Sequence, residues 1–192
     1  ASLVANHGGM RALQHVECSS ALSAGVNMIL SPAVMRGNAI GGFTSARGRS
    51  HTFDARGDGY ARGEACGAVV LRTAADATGP DMRGSAVRQD GRSASLTAPN
   101  GSAQRTLLVA ALDRAALVAA EVGGIEAHGT GTALGDPIEA GSLAGAVLSA
   151  SESPLPDTAA TEEPNAGLDG DGGPCILNFS VALVRTAALA GE

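Results

Sequence analysis

Lysine is absent from this chain, and large aromatic side chains are nearly absent. The 192 residues include no tryptophan, one tyrosine and three phenylalanines, and all 13 basic residues are arginines. A folded core must therefore come from aliphatic side chains and from the close approach of small residues, among them 27 glycines. The absence of lysine also removes one common acid–base and supporting group from any catalytic site that these residues build.

Long apolar runs, basic patches and paired cysteines are missing as well. No apolar run reaches about 18 residues, so we expect no membrane span, and the N-terminus shows no signal-peptide pattern. The arginines form no basic stripe, which argues against nucleic acid as a partner. Cys18, Cys66 and Cys175 match neither a disulfide framework nor a metal site, so no metal is expected. They suit a reducing location, either the cytoplasm or the interior of an organelle.

The net charge of −6 is concentrated in one segment. Six acidic residues and no basic residue lie within 149–174, which is also rich in Pro and Gly, while 13 acidic residues balance 13 arginines elsewhere. Such a composition buries too little apolar surface to offset the entropy lost on ordering. We therefore predict a folded unit over 1–148, a flexible acidic loop over 149–174, and a C-terminal strand and tail over 175–192.

Hydrophobic periodicity predicts helices and strands in alternation. The predicted helices cover 1–16, about 102–120 and 137–149, with a short helix within 33–50. The predicted strands cover 21–30, 68–72, 83–88, 124–128 and 175–182, and the first of these reads as buried. This alternation indicates an α/β fold.

One segment carries the clearest chemical signal. Asp136 and Pro137, which read as an N-cap and a first-turn residue, predict the start of a helix there. Before them, glycines alternate with threonines after an apolar stretch, which predicts that His128, Thr130 and Thr132 lie at the end of a buried strand and line one cavity. The whole segment reads Glu126-Ala127-His128-Gly129-Thr130-Gly131-Thr132-Ala133-Leu134-Gly135-Asp136-Pro137.

Two other interpretations of this segment exist. Gly/Thr runs also form purely structural loops, in which a single histidine has no chemical role. A dinucleotide-binding turn has the same order of strand, glycines and helix, but Gly129, Gly131 and Gly135 are spaced one residue too far apart. The acidic residue expected about 20 positions later would also fall in the predicted flexible loop.

Six further segments accompany this motif, and their order and spacing resemble the β-ketoacyl synthase (ketosynthase) family over most of residues 1–148. The resemblance implies a thiolase-like, layered α/β/α/β/α fold. This chain would hold only part of that fold, with the N-terminal part and the C-terminal end missing, and the complete domain would be a homodimer. The segments are Ala1-Ser2-Leu3-Val4-Ala5, Ala24 to Pro32, Phe53 to Tyr60, Gly63-Glu64-Ala65-Cys66-Gly67, Arg83-Gly84-Ser85-Ala86-Val87 and Leu96-Thr97-Ala98-Pro99-Asn100-Gly101.

The resemblance implies decarboxylative Claisen condensation of an acyl thioester with malonyl thioester, in polyketide or fatty-acid biosynthesis. In that family a cysteine at a helix N-terminus accepts the acyl chain, two histidines stabilise the enolate oxygen, and a lysine supports the site. His128 corresponds to the first histidine, and Thr130 and Thr132 to contacts of the phosphopantetheine arm. The implied partners are an acyl carrier protein with acyl and malonyl thioesters. The arm arrives on the carrier, and the chain itself is expected to bind no cofactor.

The remaining catalytic positions do not carry over. The family's nucleophile falls two residues before Ala1, no histidine follows His128, and Val181 to Ala187 stands where the lysine and second histidine are expected. Cys18 precedes a Ser-Ser-Ala-Leu run like that of the nucleophile, but the ungapped match puts it after the family's helix and before a predicted strand. Two hypotheses follow: a segment of an active ketosynthase, or an inactive ketosynthase-like scaffold or dimerisation module. We expect the isolated chain to be inactive under either.

Overall fold

The computed structural model describes residues 2–73, 80–95, 97–151 and 179–185. Within these ranges the strands form two antiparallel pairs, β1 with β2 and β3 with β4. This mixture of helices and strands agrees with the predicted α/β class. In chain order the elements are helix α1 (Ser2–Gln14), strand β1 (Ser20–Asn27), helix α2 (Pro32–Ile40), strand β2 (Ala65–Arg72), strand β3 (Asp81–Arg88), helix α3 (Gly101–Ala115), a 3-10 turn (Ala119–Glu121), helix α4 (Gly135–Ser151) and strand β4 (Phe179–Arg185).

Small residues set the contact between α1 and the β1–β2 pair. A Cβ atom added to Gly9 would lie 3.3 Å from both Ala21 Cβ and Leu71 Cδ1, and one added to Gly25 would lie 2.7 Å from Ser2 Cβ. The helix therefore approaches the sheet at backbone distance, as the shortage of large side chains requires. Met10 and Leu13 are the buried side chains of α1.

The opposite face of the β1–β2 pair is exposed. Leu22 and Val26 of β1 are 74% and 68% exposed, and Val70, which pairs with Leu22, is 60% exposed. Successive residues of a strand point to opposite faces, and α1 covers only one of them. The prediction of a strand within 21–30 is confirmed, but the prediction that it is buried is wrong among the described residues.

The tightest core lies where α3 packs on β3. Ala86, Leu107 and Ala111 are at most 2% exposed, and a Cβ atom on Gly84 would lie 2.7 Å from the Ala115 nitrogen. α3 ends earlier than predicted because the residue after Ala115 adopts a left-handed conformation, with φ of 50°. Helix α3 also packs against α4.

The segment predicted as a strand over 124–128 is irregular. No described segment pairs with it, and Ile125 is 52% exposed. A strand requires a neighbour for its backbone groups, and here the N–H groups of His128 and Gly129 donate to a side chain of α4 instead. The prediction that His128 ends a buried strand is therefore wrong for these residues.

The C-terminal predictions fall mostly outside the described residues. Helix α4 runs to Ser151, and strand β4 overlaps the predicted strand over 175–182 at 179–182 and continues to Arg185. The predicted flexible loop over 149–174 lies outside the described residues from 152 onward, as does the tail after 185. None of the described helices has both the length and the apolar character that a transmembrane segment requires.

Candidate active site

The Glu139 carboxylate holds the backbone of the histidine motif. Its Oε1 accepts from the N–H of His128 at 2.7 Å, and its Oε2 accepts from the N–H of Gly129 at 2.9 Å. From the other side, the Thr52 hydroxyl donates to the Gly129 carbonyl at 2.5 Å. Hydrogen bonds from amides to a carboxylate are stronger than those between neutral groups. Helix α4 therefore anchors the backbone at His128. The sequence reasoning missed Glu139, although its position one helical turn after Asp136 was a usable signal.

The Asp136 carboxylate joins the motif to a second loop. Its Oδ1 accepts from the N–H of Gly131 at 2.9 Å, and its Oδ2 accepts from the N–H of Phe53 at 2.6 Å. The predicted N-cap role of Asp136 is wrong, because helix α4 already begins at Gly135. The Thr132 hydroxyl accepts from the Gly135 N–H at 3.1 Å and so satisfies one of the free donors at the helix start. Asp136 is freed to bridge two loops.

Glycine is required where these loops cross. Gly131 has φ of 70°, and its carbonyl accepts from the Gly59 N–H at 3.0 Å. A Cβ atom on Gly131 would overlap the Ser50 carbonyl oxygen, and one on Gly57 would lie 2.7 Å from the Gly131 oxygen. The glycines that suggested a ligand loop therefore also serve backbone-to-backbone packing.

The two threonines form a hydroxyl pair beside a cavity. Thr130 Oγ1 and Thr132 Oγ1 lie 3.1 Å apart. A cavity of about 460 Å³ is lined by residues of 53–57 and of 131–140, including Thr132 and Asp136. Thr130 is not among its lining residues, and His128 is exposed outside it. This cavity therefore includes one of the three candidate side chains, Thr132, and a cavity shared by all three stays a prediction.

The wall of the cavity includes a carboxylate that is paired with an arginine. Asp54, one of the lining residues, accepts from Arg56 Nε at 2.9 Å and from Arg56 Nη2 at 2.8 Å. These bonds hold the pKa of the Asp54 carboxyl far below its usual range. Asp58 nearby accepts from the Ser45 hydroxyl and from Arg47, which likewise lower its pKa. Both carboxylates are ionised at neutral pH and compensated by arginine.

In the described part of the chain, no group of three or more His, Cys, Asp or Glu side chains converges so that it could hold a metal ion. The described acidic side chains of the site instead accept hydrogen bonds from backbone amides or from arginine.

Family models match both halves of the chain. Residues 1–77 match the β-ketoacyl synthase N-terminal domain, and residues 81–159 match the β-ketoacyl synthase C-terminal domain. The chain belongs to the β-ketoacyl synthase family. The motif from His128 to Pro137 thus lies within the ketosynthase C-terminal domain, and α1 lies within the N-terminal domain.

Polyketide synthases are among the similar proteins. The chain is 50% identical over 153 residues to a phenolphthiocerol/phthiocerol polyketide synthase of Mycobacterium tuberculosis, and the match covers 77% of the chain and 8% of the relative. It is 41% identical over 150 residues to the orsellinic acid synthase ArmB of Armillaria ostoyae, and that match covers 75% of the chain and 7% of the relative. The chain therefore spans less than a tenth of the length of these relatives.

Solved ketosynthases share the fold. An oxazolomycin ketosynthase domain of Streptomyces albus superposes with a TM-score of 0.73 at 39% identity, over 77% of this chain and 27% of that one. The ketosynthase from module 6 of the bacillaene synthase of Bacillus subtilis gives a TM-score of 0.74 at 32% identity, over 77% and 28%. The thiolase-like fold is thereby confirmed, and this chain holds about a quarter of such a ketosynthase.

Proposed function

We propose that these residues supply the part of a ketosynthase site that recognises a malonyl thioester and promotes its decarboxylative condensation, in polyketide or fatty-acid biosynthesis. The observation that carries this proposal is the anchoring of the His128-to-Thr132 run. Glu139 and Asp136 hold it by three hydrogen bonds from backbone amides, those of His128, Gly129 and Gly131, and Asp136 also accepts from the N–H of Phe53 in the neighbouring loop. These bonds fix the backbone from which the histidine of the run extends.

His128 is the proposed catalytic residue. A neutral imidazole N–H donates to the thioester oxygen and stabilises the negative charge that develops as carbon dioxide leaves. Such stabilisation depends on a donor that is already in place before the reaction. The bond from the His128 backbone to Glu139 restrains the point from which the ring extends, which supports this role.

Thr130 and Thr132 are the proposed contacts of the phosphopantetheine arm. Each hydroxyl carries one proton and can also accept. Thr132 accepts from the Gly135 N–H, and one of the two threonines donates to the other. Whichever donates, the pair retains one O–H proton for an outside acceptor. An amide carbonyl of the arm is such an acceptor, and Thr132 already borders the cavity.

The other participants in the reaction are proposed to come from outside these 192 residues. The acyl and malonyl groups arrive as thioesters, the latter on the phosphopantetheine arm of an acyl carrier protein, and the complete domain acts as a homodimer. The sequence has one histidine at a family catalytic position and no lysine. On its own the chain is therefore proposed to lack condensing activity.

The arm contact is tested with a malonyl-pantetheine analogue in which an unreactive amide replaces the thioester. In a complete ketosynthase that carries these residues, Thr132→Val should weaken binding of the analogue by about three- to tenfold, the effect of losing one hydrogen bond. Thr106→Val is the matched control, since Thr106 bonds only to the backbone of its own helix. Equal affinities of the Thr132→Val variant and the parent protein would rule out the contact.

A further inference from the structure

His7 connects the two halves of the chain away from the candidate site. Its Nδ1 lies 2.7 Å from the hydroxyl oxygen of Ser85, although 78 residues separate the two in sequence. His7 belongs to α1, in the part that matches the N-terminal domain, and Ser85 belongs to β3, in the part that matches the C-terminal domain. The bond therefore crosses between the two family segments.

Ser85 is a buried junction of three elements. It is 2% exposed, and its hydroxyl also contacts Met10 Sδ of α1 at 3.5 Å. Its carbonyl oxygen accepts from Arg114 Nη1 of α3 at 3.0 Å. A buried hydroxyl that loses its hydrogen-bond partner lowers the stability of the folded protein. The contact with His7 therefore contributes to the arrangement of all three elements.

The surroundings of His7 disfavour a charged ring. Its partial burial lowers the pKa of the imidazole, and Arg114 and then Arg11 lower it further. β1 carries no charged residue and β3 faces the ring with the Ser85 hydroxyl. The remaining ionisable residues of the strands packed on α1 are Cys66 and Arg72 of β2, Asp81, Arg83 and Arg88 of β3, and Arg185 of β4.

We propose that His7 is a positioning residue: its bond to Ser85 fixes α1 against the β3–α3 unit, and protonation of the imidazole places a second positive charge beside Arg114 and so loosens the packing of α1 on this unit. The catalytic consequence rests on the proposed function. By family resemblance α1 follows the nucleophile, while α3 packs against α4, which anchors His128. The spacing between the two halves of the site then depends on the His7–Ser85 contact.

The sign of the pH dependence follows from the lowered pKa. Because the folded imidazole binds its proton less readily than the unfolded one, the contribution of His7 is fully present above the unfolded pKa of about 6.5. It is lost as the pH falls from that value towards the lowered folded pKa. Mild acid should therefore loosen α1 while the compensated carboxylates Asp54 and Asp58 are still ionised.

Three variants of a complete ketosynthase carrying these residues test the proposal. His7→Asn places a nitrogen or oxygen where Nδ1 lies but cannot titrate, and Ser85→Ala removes the partner hydroxyl. His15→Asn is the control, because His15 is exposed on the turn after the same helix and bonds to Arg11. Hydrogen-exchange protection of residues 2–14, corrected for the intrinsic rate, is followed from about pH 8 to about pH 5, the range in which histidine titrates.

Parent protein and His15→Asn should lose about three- to tenfold in protection of α1 over this range, the scale of one hydrogen bond. His7→Asn should keep the high-pH protection throughout, and Ser85→Ala should be less protected than the parent at about pH 8, where the imidazole is neutral in both. The acid limb of the pH profile of condensation should move to lower pH in His7→Asn. A step that persists in His7→Asn, or that is missing from the parent, overturns the proposal. Because exchange is read without turnover, an inactive ketosynthase would count against the proposed function alone.

Discussion

The carboxylate of Glu139 lies 2.7 Å from the backbone nitrogen of His128 and 2.9 Å from that of Gly129. A single side chain of α4 thus accepts hydrogen bonds from both amides at the backbone of the proposed catalytic histidine. Backbone groups normally find such partners in a strand ladder or a helix. Here their partner is a charged side chain, so the position of His128 depends on the identity of residue 139.

Replacing Glu139 by Gln should therefore impair catalysis more than stability. The amide offers one acceptor oxygen, and its NH₂ group faces a second backbone donor, so at least one bond to a charged group worth about 1.5–3 kcal/mol is lost. We expect condensation by a complete ketosynthase to slow by about tenfold or more, with acylation of its nucleophilic cysteine unchanged. Rapid-quench measurement of the two half-reactions checks this. The exposed Glu17→Gln is the control, and equal slowing of both half-reactions would contradict the assignment.

Gly131→Ala should destabilise the fold. The alanine would occupy a left-handed conformation, which disfavours side chains by about 1–2 kcal/mol, and its Cβ would collide with the Ser50 carbonyl. A fall in the midpoint of chemical denaturation is the expected result. Gly141→Ala is the matched control: it lies within α4 with open space around it, so alanine should stabilise the helix by up to about 1 kcal/mol. A fully stable Gly131→Ala protein would show that the two loops do not cross as closely as described.

Periodicity and turn residues were sufficient to predict the helices and most strands. The apolar spacing of α1, the N-cap Asn100 of α3 and the small-residue strands all act locally, within a few residues of one another. The strand expected over 124–128 failed because an apolar run does not reveal whether a partner strand is available. The exposed outer face of β1 escaped prediction for the same reason, since burial depends on which layers are present.

The candidate site was predicted only in part. The residue types of the motif identified His128, Thr130 and Thr132 as candidates, and the structure brings the two threonines together. The roles of Asp136 and Glu139 depend on how the turn between the motif and α4 folds back, which carries no periodic signal. Contacts across 83 and 78 residues, Phe53 with Asp136 and His7 with Ser85, are beyond local patterns altogether.

The isolated 192-residue chain should form no acyl-enzyme on Cys18. Cys18 follows α1 and is itself followed by β1, so it does not lie at a helix N-terminus, the position that activates a catalytic cysteine. Incubation with an acyl-carrier thioester and intact-mass measurement checks this, with Cys18→Ala as the control. Acyl transfer abolished by Cys18→Ala would overturn the placement.

The residue two positions before Ala1 in the parent protein separates the two hypotheses. A cysteine there favours the enzyme, whereas Gln, Ser or Ala there favours a chain-starting decarboxylase or a scaffold.

The most direct test of the central claim is His128→Ala in an otherwise complete ketosynthase that carries these residues. Two rates are measured: acylation of the nucleophilic cysteine, and release of carbon dioxide from the malonyl-carrier thioester. Losing a donor to a developing oxyanion typically slows the affected step by about 10²- to 10³-fold, so decarboxylation and condensation should fall by that order while acylation stays close to the parent rate. Unchanged decarboxylation in His128→Ala would contradict the account.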